Sequence, residues 1–248
     1  MRCTCRRESY WSEFVGTQGH KLLSCFGCHA VWSKEGGDQP SPRSGGTWSG
    51  LPYPAVPGLG DWDTLRPWPG ITKQVATQFK WQWSRPSGLD QVYPGLAPFL
   101  GDCNYLVLPV HNSTHEPVWF TARAMGEAPR AYLQPPGVTP VLWCSWHFIP
   151  RKKREILAIT EGIADAAFLS TRCDSIALCG MRYDGSLDHE VRGRNVMVAL
   201  DGDAPGYAAS TVVGQQMIAA GARSVRLVAY AGKDPTDWTN LEFSEALK

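Results

Sequence analysis

From residue 155 onward, apolar runs and helix-like stretches alternate at a regular spacing. Residues 155–160 (EILAIT) read as a buried strand, followed by a stretch of helical period over 163–170. Short strands are expected at 175–179 and 195–200 (NVMVAL), then a helix over 207–220 stopped by Gly221, then a strand over 224–230 (SVRLVAY). Strands alternating with helices predict an α/β fold built on a parallel sheet. Upstream the period is that of strands: 105–112 (YLVLPVHN) and 117–125 (PVWFTARAM) flank a polar turn at 113–116. Residues 33–70 are dense in Gly, Pro and Ser and predict a linker without lasting regular structure. Four segments follow: a cysteine-bearing 1–32, the linker 33–70, a mixed 71–154 and an alternating 155–248.

Charge sharpens this division. The whole chain carries a formal +1, but residues 66–154 hold ten basic and four acidic residues, and residues 155–248 hold eight basic and thirteen acidic ones. A basic half beside an acidic half suits an enzyme that holds a polyanion with one part and metal cations with the other. No apolar run approaches the length needed to span a bilayer. The start, Met1-Arg2-Cys3, lacks the apolar stretch of a signal peptide, so the expected location is the cytoplasm.

The acidic residues follow the strands. Glu161 comes directly after EILAIT, Asp201 and Asp203 directly after NVMVAL, and Asp234 just beyond SVRLVAY. Ligands of open α/β sheets bind outside the carboxyl ends of the strands. Three strands thus deliver carboxylates to one edge, and clustered oxygen donors suit Mg²⁺ or Mn²⁺. The N-terminus carries a second donor set: Cys3-Thr4-Cys5 and Cys25-Phe26-Gly27-Cys28 form two knuckle-like pairs about twenty residues apart. Four thiolates bind Zn²⁺ and would staple a unit of that size, with His20 and His29 as alternative ligands to Cys3.

Three stretches carry a family resemblance. Glu161-Gly162-Ile163-Ala164-Asp165, Asp201-Gly202-Asp203-Ala204-Pro205-Gly206 and Lys233-Asp234-Pro235-Thr236-Asp237 resemble the signature stretches of the TOPRIM domain. Within that superfamily the chain is most similar to DnaG-type and phage replicative primases. Residues 105–112, Arg123 and the stretch 129–136 (PRAYLQPP) resemble the primase segment that precedes TOPRIM. The likeness covers about residues 69–240. It departs from the pattern at Thr236, where an acid is more usual, and at Pro205, an insertion before the following helix.

The resemblance implies a TOPRIM domain at 155–248, behind a mixed α+β primase subdomain and a small N-terminal zinc ribbon. It implies that Glu161, Asp201 and Asp203 bind catalytic metal, that Asp234 assists, and that Asp165 supports the first stretch. Arg123, Arg130, Lys152, Arg154 and Lys233 would then hold template or nucleotide phosphates. The expected activity is synthesis of RNA primers from ribonucleoside triphosphates on single-stranded DNA, for DNA replication, with a separate replicative helicase as partner. The zinc module would read the template where priming begins. The end at Lys248, soon after the last signature, suggests a phage or plasmid protein or a fragment. The competing readings are a TOPRIM nuclease and a non-catalytic zinc-dependent DNA-binding protein.

Overall fold

The computed structural model describes residues 11–15, 21–25, 31–33, 48–52, 62, 68, 70–150, 155–180 and 183–247. Cys3, Cys5, Cys28, Lys152 and Arg154 lie outside the described residues, as do His20 and His29, and Cys25 is described by its backbone alone. The chain forms two compact units that interleave along the sequence. One comprises 1–58, 82–109 and 117–139, and the other 59–81, 110–116 and 140–248.

The first unit holds two sheets. Strands β1 (Trp11–Val15), β2 (Lys21–Cys25) and β3 (Val31–Ser33) form an antiparallel meander, with Trp11 opposite Cys25 and Leu23 opposite Trp32. The second sheet has the order β4 (Gln82–Ser84), β5 (Tyr105–His111), β6 (Pro117–Ala124), β7 (Tyr132–Leu133). Helix Pro86–Val92, with proline in its first turn where no amide hydrogen is needed, supplies Leu89 to the core over this sheet. Tyr93, Leu96 and Phe99 follow it and pack with Tyr105, Val107, Phe120, Ala122 and Leu133. Every residue of β5 is buried, so the strand reads as a continuous apolar run rather than an alternating one. Its last two residues, Val110 and His111, belong to the second unit.

The second unit is the alternating part of the sequence. Short β8 (Trp143–Cys144), at the edge of the sheet, runs antiparallel to β10, while β9 (Ile156–Thr160), β10 (Asp174–Ala177), β11 (Asn195–Val198) and β12 (Ser224–Leu227) are mutually parallel. The spatial order is β12-β11-β9-β10-β8. Helices α1 (Ile163–Leu169), α2 (Ala204–Ala219) and α3 (Asn240–Ala246) complete the set that positions the site. Val213 and Met217 of α2 pack with Leu157, Ile159, Val196 and Val198 of the sheet. On a second cluster, Leu169 of α1 and Phe243 of α3 pack with Ala158, Met197 and Trp238. Among the described residues no helix is long and apolar enough to cross a membrane.

Candidate active site

The parallel register decides where the acids go. Ile159 of β9 is level with Val198 of β11 and Ile176 of β10, and Val198 is level with Leu227 of β12, so these strands end at one edge. Glu161 is the first residue past β9, Asp201 and Asp203 lie just past β11, and Asp234 lies in the loop after β12. The two later loops are locked together. The Gly232 amide donates to the Gly202 carbonyl at 2.8 Å. A Cβ on Gly202 would sit 2.0 Å from the Tyr230 carbonyl oxygen and 2.7 Å from that of Lys233, so only glycine permits this approach.

Helix α2 begins at Ala204, three residues earlier than apolar spacing alone predicts, because Asp203 caps it. Asp203 Oδ1 accepts the Gly206 amide at 2.7 Å, and Pro205 sits in the first turn, where a missing amide hydrogen costs nothing. The inserted proline therefore starts the helix instead of disturbing it. One Asp203 oxygen is committed to the cap. Asp165, on α1, is buried and accepts the Thr236 backbone amide at 3.2 Å. The bond uses the backbone of residue 236, so it does not need an acid there.

Neighbouring acids raise Glu161, Asp165 and Asp201. Burial, then Glu161, Asp234 and Asp203, push Asp201 up to about 7. Glu161 is raised by lost hydration and then by Asp203 and Asp234. Burial and then the Asp201 charge push Asp165 to about 8. The neighbouring charges acting on Glu161 and Asp201 are all of like sign, which is the electrostatic condition for capturing a cation. Among the described residues no three His, Cys, Asp or Glu side chains close on a single point. Mg²⁺ commonly takes only one or two carboxylates and keeps its waters, so this donor set fits it.

Lys233, in the same loop as Asp234, forms an ion pair with Glu242 at 2.7 Å. The remaining basic candidates that the structure describes belong to the first unit. The Arg123 guanidinium lies over the Tyr132 ring, 5.7 Å from its centroid, and Arg130 lies over Phe99 at 4.6 Å. Burial lowers the Arg130 pKa from its ordinary value. The ring partners Phe99 and Tyr132 and the Glu242 partner of Lys233 were not singled out from sequence. Thr239 and Glu242 do carry a readable sign, the Thr-x-x-Glu spacing of a capping box.

No family model and no curated protein matches the chain. Solved structures do. A DnaG primase catalytic domain bound to single-stranded DNA aligns with 78% of this chain and 71% of its own, at TM-score 0.58 and 16% identity. A DNA primase domain from Pseudomonas aeruginosa aligns over 76% and 71%, at TM-score 0.56 and 16% identity. The primase fragment of the bacteriophage T7 primase-helicase protein aligns over 100% and 97%, at TM-score 0.55 and 15% identity. At these identities the likeness is one of architecture, and the chain has the mixed α/β fold of a primase catalytic core.

Proposed function

We propose that the protein is a DNA primase that makes short RNA primers on single-stranded DNA. The observation that carries this reading is the set of mutually repelling carboxylates, Glu161, Asp201, Asp203 and Asp234, gathered at one edge of the sheet in a chain with a primase fold. In this reading residues 155–248 are a TOPRIM domain and residues 71–154 the basic part of the catalytic core. Residues 33–70 tether a zinc module, residues 1–32, whose ligands are Cys3, Cys5, Cys25 and Cys28. Thiolates in that number suit Zn²⁺.

The reaction joins a growing 3′-hydroxyl to the α-phosphorus of a ribonucleoside triphosphate and expels pyrophosphate. Glu161, Asp201 and Asp203 would share the holding of Mg²⁺ or Mn²⁺ between direct contacts and the ion's own waters, with Asp234 assisting. When bound, the metal lowers the hydroxyl pKa and neutralises the triphosphate. Asp165 fixes the turn that carries Glu161 to the segment that carries Asp234, through its bond to the Thr236 amide. Gly202 holds the Asp201 and Asp234 loops at a fixed separation. Arg123, Arg130, Lys152 and Arg154 grip template phosphates, and Lys233 meets the incoming nucleotide. The partners are single-stranded DNA, ribonucleoside triphosphates and a separate replicative helicase, in the cytoplasm of a bacterial host cell if the gene is a phage's.

The test is the product formed on single-stranded DNA with labelled ribonucleotides and Mg²⁺ or Mn²⁺. RNA of increasing length is expected. Shortened DNA would make the same carboxylates a nuclease site, and neither product would leave a DNA-binding protein.

A further inference from the structure

Lys233 is rooted beside the acid cluster but turned to a carboxylate outside it. Its backbone lies against the Asp201-Gly202-Asp203 loop: a Cβ on Gly202 would be 2.7 Å from the Lys233 oxygen and 3.0 Å from its nitrogen. Asp234 is the next residue. Its four-methylene stem starts in the loop that also carries Asp234, and an ammonium would gain from joining the acids there. Instead Lys233 Nζ sits 2.7 Å from Glu242 Oε1.

Glu242 is well placed to hold it. Its other oxygen, Oε2, accepts the Thr239 amide at 2.7 Å and the Thr239 hydroxyl at 2.9 Å. The Thr239 hydroxyl oxygen accepts the Glu242 amide at 3.2 Å, which closes a capping box at the start of α3. The Tyr230 hydroxyl, from the loop before Lys233, donates to the Glu242 carbonyl at 3.0 Å. Glu242 is thus fixed at both its side chain and its backbone, so the ion pair is anchored at one end.

We propose that Glu242 is a positioning residue that holds the Lys233 ammonium off the carboxylate cluster and so keeps the cluster open to a divalent cation. This rests on the reading of Glu161, Asp201, Asp203 and Asp234 as a metal site. An internal ammonium at those carboxylates competes with metal for the same charge. A carboxylate opposite it removes the competitor while leaving a cation close to where an incoming triphosphate would arrive. The device depends on charge, whereas the capping box depends only on a side-chain oxygen at position 242. Glutamine serves that position as well as glutamate, which separates the two roles.

The experiment is Mn²⁺ titration of the 248-residue chain by calorimetry at neutral pH and low salt, with thermal unfolding followed in parallel. Glu242→Gln should weaken Mn²⁺ binding by about tenfold, since the freed ammonium now competes at the cluster. Adding Lys233→Met to it should restore the parent affinity, which a structural defect at α3 would not allow. Lys233→Met alone should bind Mn²⁺ at least as tightly as the parent. Equal affinity of parent and Glu242→Gln, or a double variant as weak as the single, would overturn the inference. If Glu242→Gln does not fold, Lys233→Met decides the matter, and weaker Mn²⁺ binding by that variant overturns the inference. A parent protein that binds no Mn²⁺ would overturn the metal reading itself, and this inference with it, and is distinct from a parent that binds while Glu242→Gln matches it.

Discussion

In the first unit, Arg123 of β6 and Arg130 of the loop after it lie over aromatic rings, whereas at the end of the β9–β12 sheet the acids lie near other acids. A guanidinium on a ring face gains a modest cation–π attraction, which offsets part of the burial cost that lowers the Arg130 pKa. A carboxylate pushed toward other carboxylates gains nothing from its neighbours. The first arrangement is comfortable without a ligand, and the second is not. Chains concentrate like charge in this way where binding an opposite charge relieves it, and perturbed groups of this kind mark functional sites. The acidic edge therefore carries the stored electrostatic cost, so its response to mutation should differ in sign as well as in size from that of the basic sheet.

The largest effect tests whether the acidic edge is held together by close backbone packing. Gly202→Ala should destabilise the protein by about 3 kcal/mol or more, because its Cβ has backbone oxygen and no flexible side chain to displace. Urea unfolding measures it, and a loss under about 0.5 kcal/mol would mean the two acid loops are free to part.

Next comes a titration inside the second unit. His111 is buried against Phe148, and burial, followed by the Lys80 charge, lowers its pKa from 6.5 to about 4. Its folded value lies below its unfolded one, so the stability it contributes is present above pH 6.5 and is lost as pH falls toward 4. The loss should reach about 2–3 kcal/mol across that window. His111→Leu should flatten the decline in urea midpoint, and an unchanged pH profile would assign the acid sensitivity elsewhere.

Asp201→Asn relieves the repulsion and should stabilise the metal-free fold by about 1–2 kcal/mol while weakening Mn²⁺ binding. In the parent protein, Mn²⁺ affinity should rise with pH until Asp201 has titrated at about 7, because binding displaces its proton. A lower melting temperature for Asp201→Asn would mean that the acids are not in conflict. The smallest effect belongs to the basic sheet. Arg123→Ala or Arg130→Ala should each flatten the log–log salt dependence of DNA affinity by about one unit or less, and an unaltered slope in both would confine them to ring packing.

Much of the acidic edge was legible in the sequence, because it rests on local facts: a strand, a glycine turn and an acid, repeated three times. The helix after β11 starts at Ala204 rather than 207, since a cap and a proline define a helix start that apolar periodicity does not register. The last strand ends at Leu227 rather than 230, where the chain leaves the ladder and forms the Tyr230–Lys233 bridge. What sequence did not reveal depends on residues far apart. Arg130 and Phe99 meet only once the sheet is built, and nothing in their spacing marks a ring as a partner. Glu161 and Asp201, forty residues apart, are by contrast brought together by a parallel register that the alternation of strands and helices already implied.

The claim that chemistry lies at the acidic edge and strand binding elsewhere is tested most directly by Asp203→Asn. Asparagine keeps the α2 cap and removes the charge, so the fold is preserved. Ribonucleotide incorporation and single-stranded DNA affinity are measured on one preparation, with Mg²⁺ or Mn²⁺ present. Incorporation should fall by about a thousandfold or more, the scale of losing a central electrostatic group, while DNA affinity stays near that of the parent. Incorporation close to the parent rate would contradict the claim.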